Sequence, residues 1–292
     1  MIVLENDRFV VDINELGAEL KRIYCKTNGI DYLWRGNLGE KYWQKSATLL
    51  FPFVGRLQDG KYNYNGIDYE IGCHGFAKSM TFSVVEKSDT SVLFNIVSND
   101  ETRECYPFDF YLGVRYILEE NHLKHEVIVK NTDSKEMLFK LGFHPAFNVP
   151  LTSDTSFEDW KIVFEPTATV ERRLITERGL DGSLDSICSD IKDNELKLSH
   201  GIFKDDALVL KNTGNSASIR SGKSGHGVTV NYSTPWVGLW QTYTDDTPFV
   251  AIEPWYHLPG KDLVHTKLEE VDDLFKLLPG DEETYSITID LF

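Results

Sequence analysis

No apolar run in this 292-residue chain approaches the ~18–20 residues that a membrane-crossing helix needs. Cysteine is scarce. Cys25, Cys73, Cys105 and Cys188 are widely spaced and form no CxxC, so they read as reduced thiols and not as a disulfide framework. Basic residues are outnumbered, 30 Lys and Arg against 46 Asp and Glu, for a net charge of −16. That balance disfavours non-specific nucleic-acid binding, although a few local cations can still hold a small anion. GxSxG, P-loop and GxGxxG motifs are absent, leaving serine-hydrolase and nucleotide chemistry unsupported. The clustered HxH spacing of a metal site is missing too, so a metal is not expected. Met1–Arg8 has no signal-peptide pattern, and a cytoplasmic location is expected.

What is present is aromatic and alternating. The 6 Trp, 13 Tyr and 17 Phe suit a β-rich core first and sugar-stacking faces second. Tyr285, Ile287, Ile289 and Leu291 alternate with Thr284, Ser286, Thr288 and Asp290 after a Pro279-Gly280 turn. Leu112, Val114, Tyr116 and Leu118 form one face of a strand. After a turn at Glu120-Asn121, Leu123, His125, Val127 and Val129 form the matching face, which reads as an antiparallel hairpin. Further strands are expected near 8–13, 19–25, 61–71, 80–86, 91–98, 136–143, 160–165, 207–211, 217–220, 227–232, 236–241 and 249–253. Helical signals are weak: a short helix or turn around Tyr42–Leu50, and a helix or strand over Leu268–Leu278. The polar segment 176–206 reads as irregular. The regular run of short strands predicts an all-β antiparallel sandwich, with residues 1–292 as one domain.

One carboxylate stands out. Glu253 follows Phe249-Val250-Ala251-Ile252 and precedes Pro254-Trp255-Tyr256. Burial among apolar groups raises a Glu pKa above its reference of roughly 4.3, the kind of tuning a catalytic base needs. Three other segments set a functional side chain among Gly, Pro and rings: Leu50–Gly60 with Arg56, Gly72–Lys78 with His74, and Leu141–Phe147 with His144. Gly and Pro suit backbone that turns sharply or approaches a ligand closely.

These segments together resemble the aldose 1-epimerase, or galactose mutarotase, family, in its shorter LacX-like branch. The strings that carry the resemblance are FPFVGR (51–56), HGFAK (74–78), YPF (106–108), GFHPAF (142–147), DALVL (206–210), GLW (238–240), IEPW (252–255) and LPG (278–280). They come in the family's order and span nearly the whole chain. The resemblance implies a large β-sandwich with an open sugar-binding cleft. It also implies cofactor-free interconversion of the α and β anomers of an aldose. Carried over by position, Glu253 is the general base and His144 the general acid. His74 holds or polarises the ring oxygen, and Arg56 and Asp206 bind sugar hydroxyls, with adjacent Asp205 competing for the last role. Trp240 and Trp255 offer faces for the sugar or for the core, and Lys78 is either a surface charge or a phosphate contact. The departures are Thr48, where many relatives have Pro, and His257 after IEPW.

The chemistry suits these residue types. Anomer exchange takes a proton from O1 and delivers one to the ring oxygen, a task for a carboxylate and an imidazole on opposite sides of C1–O5. The expected starting state has Glu253 ionised, its burial offset by Arg56 or the histidines, and His144 protonated at or above roughly 6.5. The blander readings are an Arg56–Asp59 surface pair, a solvated Asp206, and a sheet histidine at His125. Cys73 and His74, as strand neighbours, point to opposite faces. The rival functions are a hexose-6-phosphate 1-epimerase, with Lys78, Arg35, Arg115 and His257 as cationic candidates, and a carbohydrate-binding protein without turnover. The expected partner is a small aldose, not nucleic acid or membrane, in a monomer or homodimer.

Overall fold

The computed structural model describes residues 1–165 and 169–292. Among these, ten antiparallel strands form one sheet, in spatial order Ile191–Lys192, Glu195–Lys197, Trp160–Phe164, Ser216–Ser221, Val228–Asn231, Glu282–Leu291, His122–Asn131, Phe110–Glu119, Ser91–Val97 and Ser83–Lys87. Seven form a second antiparallel sheet: Asp181–Ile187, Glu171–Ile175, Leu208–Lys211, Trp236–Trp240, Phe249–Trp255, Gly142–Asn148 and Ala47–Leu50. Smaller sheets flank these two.

The two large sheets share a core because each alternates. In the ten-stranded sheet Val114 pairs with Val127 and Leu123 with Ile289, and all four are fully buried. From the seven-stranded sheet Leu49, Phe143, Leu208, Leu239 and Ile252 enter the same cluster. Each such side chain contributes about 1.5–3 kcal/mol by leaving water. The alternate residues of the seven-stranded sheet therefore face away from this core. They form two separate clusters, one around Leu50, Val209 and Trp255 and one around Ala146, Phe249 and Ala251. That second face carries the site described below.

The expected hairpin and C-terminal strand are present. Several expectations fail locally. The strand expected over 61–71 breaks into Lys61–Tyr64 and Ile67–Glu70, because Asn65 and Gly66 adopt positive φ and turn the chain. Tyr42–Leu50 ends in the strand Ala47–Leu50, and the amides of Ala47 and of Ser46 just before it donate to the buried Glu19 carboxylate. Leu268–Leu278 holds a single 3-10 turn and the strand Phe275–Leu277. Segment 176–206 is not irregular. It contains the strand Asp181–Ile187, held by Arg173, which pairs with both Asp181 and Asp185. The one α-helix among the described residues, Asp100–Cys105, is capped reciprocally by Asn99 and Thr102.

His125 is a sheet histidine, as its alternation suggested. Its ring stacks on Tyr116 at 4.4 Å and meets the edge of Phe143 at 5.0 Å, bridging the sheets. Burial pushes its pKa down to about 3. A lowered folded-state pKa means that its contribution is intact above the unfolded value near 6.5 and is lost as pH falls below it. Between pH 8 and pH 5 this one group should remove about 2 kcal/mol of stability. Urea titrations of wild type and His125→Phe at both pH values should show the difference between them moving by that amount in favour of the variant on acidification. An unchanged difference contradicts the assignment.

Candidate active site

Strand register brings His144 and Glu253 together. Gly142 pairs with Trp255 and Ala146 with Ala251, so His144, midway between, lies beside Glu253 on the neighbouring strand. Both project from the outer face, since the alternate residues Phe143 and Ile252 enter the core. His144 Nε2 lies 3.3 Å from Glu253 Oε2. Trp255 Nε1 donates to the same oxygen at 3.2 Å, and Oε1 accepts no hydrogen bond from the described residues. Glycine makes room for this arrangement. A Cβ at Gly142 would lie 3.0 Å from the Trp255 ring, and one at Gly238, opposite Glu253, would lie 3.2 Å from its Cβ.

His74 arrives from a loop. Residues 72–75 form a turn in which Gly75 N–H donates to the Gly72 carbonyl, with φ of 63° at His74 and 70° at Gly75. A Cβ at Gly75 would sit 2.2 Å from the Phe51 carbonyl oxygen, so only glycine fits. His74 N–H donates to the Gly55 carbonyl at 2.8 Å, and Gly55 N–H donates back to His74 Nδ1 at 3.0 Å. The second bond fixes the tautomer, because an Nδ1 that accepts leaves the proton on Nε2. The His74 ring stands edge-on to His144 at 5.7 Å.

Arg56, His74, Lys78, His144, Asp206, Trp240, Glu253 and Trp255 all line one cavity of about 320 Å³. Asp206, not Asp205, reaches it, from a backbone at φ 76° before the strand Leu208–Lys211. Gly179 sits against both binding candidates: a Cβ there would lie 2.2 Å from Arg56 Nη1 and 3.5 Å from Asp206 Oδ2. Among the described residues, no group of three or more His, Cys, Asp or Glu could hold a metal ion.

A family model described as Aldose 1-epimerase matches residues 1–260. The chain belongs to the aldose 1-epimerase family. It is 32% identical to the plasmid and chromosomal LacX proteins of Lactococcus lactis subsp. lactis, over 99% of both lengths. A galactose mutarotase-like protein from Lactobacillus casei matches with TM-score 0.94 and 32% identity, over 100% of both chains. A galactose mutarotase related enzyme from Lactobacillus acidophilus matches with TM-score 0.93 and 32% identity, over 100% of this chain and 97% of that one. No helix among the described residues is long and apolar enough to cross a membrane.

In this epimerase-family chain some sequence expectations need correction. Cys73 and His74 do not point to opposite faces, because they lie in a turn and both line the cavity. Arg56 does not pair with Asp59; its Nη1 donates to the Arg178 carbonyl at 3.3 Å, while Asp59 accepts from Gln58. Lys78 is not a free surface charge, since its ammonium donates to the Cys73 carbonyl. Trp255 is buried as a donor to Glu253 and does not stand as a free stacking face. His257 packs edge-on against Phe275 at 4.4 Å, accepts the Leu141 N–H, and does not line the cavity. Arg35 and Arg115 pair elsewhere, with Asp31 and Glu126.

Sequence reasoning passed over Trp43, Lys45 and Gly179. Trp43 stacks on His144 at 4.5 Å and meets Trp240 edge-on at 5.7 Å. Its segment has no periodicity, so only its ring pointed to it.

The protonation expectation also reverses. Burial pushes Glu253 well above the usual carboxylate range, with the Asp206 charge adding to the rise and the Trp255 hydrogen bond opposing it. Burial likewise pushes His144 down to about 3, and His74 well below its ordinary value. Both groups therefore rest in their neutral forms, the Glu253 carboxyl beside the His144 imidazole. Long-range 15N–1H NMR at pH 7 should show neutral rings at both His74 and His144, with His74 protonated at Nε2. An imidazolium signal from His144 contradicts this picture.

Proposed function

We propose that this protein is a cofactor-independent aldose 1-epimerase that interconverts the α and β anomers of a hexose. The observation that carries the reading is the buried His144–Glu253 contact at 3.3 Å within a cavity that also holds His74, Arg56 and Asp206.

Ring opening needs one proton removed from O1 and one delivered to O5. The Glu253–His144 pair already holds one proton. Moving it from the carboxyl to the imidazole creates a carboxylate base and an imidazolium acid without exchange with solvent. The entering O1 hydroxyl favours the charged arrangement by donating to the Glu253 carboxylate. Glu253 then takes the O1 proton, His144 protonates O5, and the C1–O5 bond breaks to give the aldehyde. His74, with its proton fixed on Nε2, donates toward the ring oxygen and steadies its developing charge. After rotation about C1–C2 the same groups run in reverse and close the ring on the other face. Arg56 and Asp206 hold hydroxyls, and Trp240 with Trp43 walls the sugar. The proton count is the same before and after each turnover.

Glu253→Gln keeps the shape and removes the base. Exchange measured by anomer-resolved NMR on the wild type should be accelerated for at least one aldose. It should fall ~10²–10⁴-fold in kcat in the variant, as expected for one general acid–base group. Unchanged exchange in Glu253→Gln overturns the mechanism. A wild type that binds sugars without accelerating exchange points instead to a carbohydrate-binding protein.

A further inference from the structure

The face of the His144 ring is covered by an indole. Trp43 lies against it with ring centroids 4.5 Å apart and planes at 26°. Two other rings beside His144 stand near perpendicular to it, Trp240 at 79° and His74 at 86°. Of the three, only Trp43 lies flat on the imidazole. Stacking on the face leaves the ring edge clear, and from that edge Nε2 meets Glu253 at 3.3 Å.

Trp43 is held in this orientation from both ends of its backbone. Its N–H donates to Thr242 Oγ1 at 3.1 Å, and its carbonyl accepts from Trp34 Nε1 at 2.9 Å. Trp34 is itself buried and stacked on Phe249 at 4.7 Å. Trp240 and Phe249 then flank the Trp43 ring at 5.7 and 6.4 Å. The indole therefore keeps its place on His144 although its segment has no regular structure.

A stacked indole acts differently on the two forms of an imidazole. Its π face is negative. A neutral imidazole gains dispersion from it, whereas an imidazolium also gains electrostatic attraction, which is stronger where water is excluded. His144 is buried, and it rests neutral because burial disfavours its charge and the Lys78 charge opposes it further. In the mechanism above, the imidazolium forms only after the proton leaves Glu253. An interaction that strengthens in that state lowers the barrier and leaves ground-state binding alone.

We propose that Trp43 is a positioning residue of the reaction, which holds the His144 ring by its face and stabilises the imidazolium that forms during ring opening. This rests on the epimerase reading above and adds a member to its machinery. Trp255 plays the corresponding part for the other partner, because its indole N–H reaches the Glu253 oxygen that faces His144. The two indoles thus favour the two charged partners, one through its face and one through its N–H.

Anomer-resolved NMR gives kcat and KM separately for glucose and galactose. Wild type, Trp43→Leu, Trp43→Phe, His144→Gln and the combined Trp43→Leu, His144→Gln variant are measured, with melting temperatures to show that each is folded. Trp43→Leu should lower kcat about tenfold, as loss of a desolvated cation–π contact does, and leave KM within about twofold. Trp43→Phe keeps a smaller π face and should recover most of that loss. With His144→Gln already in place, Trp43→Leu should cost nothing further, because the group it acts through is gone. Replacing the 6 Trp with fluorinated tryptophan keeps ring shape while drawing charge off the face, so it should slow wild type more than Trp43→Phe. A raised KM with kcat unchanged makes Trp43 a wall of the sugar site alone and overturns the proposal while leaving the epimerase standing. So does an equal loss in the His144→Gln background, a Phe variant no faster than the Leu variant, or equal slowing by fluorination with and without Trp43. Absence of exchange with every aldose tried removes the epimerase reading itself, and this proposal with it.

Discussion

A carboxyl and an imidazole are buried side by side, and the rest of the site is arranged around that contact. Each group alone would resist burial in its charged form. Together they hold one proton and no net charge, so the sheet can bury them among Trp43, Trp240 and Trp255. In the proposed mechanism the same burial keeps the charged form within reach, because a single proton transfer across 3.3 Å would generate both an acid and a base. Glycines at 142 and 238 give the Trp255 indole space against the sheet, and that indole holds Glu253 Oε2 in line with His144.

The seven-stranded sheet divides its labour by the pleat. Phe143 and Ile252 fasten its strands to the shared core, while their neighbours His144 and Glu253 face the cavity. A one-residue slip between Gly142–Asn148 and Phe249–Trp255 would bury the wrong side chains and separate the pair. Core packing on one face therefore enforces geometry on the other. Residues from loops, His74, Arg56 and Lys78, are added to this rigid floor by backbone hydrogen bonds such as the reciprocal pair between His74 and Gly55.

Much of this was legible in the chain. Period-two alternation marks the central hairpin and the C-terminal strand because each has one face in the core. The ring-rich setting of Glu253 announced its raised pKa. Other features depend on contacts that no local pattern encodes. Arg173 orders the Asp181–Ile187 strand through carboxylates later in the chain, in a segment whose polarity read as irregular. Positive φ at His74 turns it and Cys73 toward the same cavity, where alternation assigned them to opposite faces. Gly179 matters only because Arg56, more than a hundred residues away in sequence, lies against it. The neutral state of His144 follows from its burial, which the sequence does not disclose.

The central claim is that Glu253 and His144 act as one unit through a shared proton. A double-mutant cycle on anomer exchange, with Glu253→Gln, His144→Gln and the combined variant, tests it most directly. Groups that act as a unit are strongly non-additive. The combined variant should exchange about as slowly as the worse single variant. Losses that multiply would contradict the account and assign the two residues separate tasks.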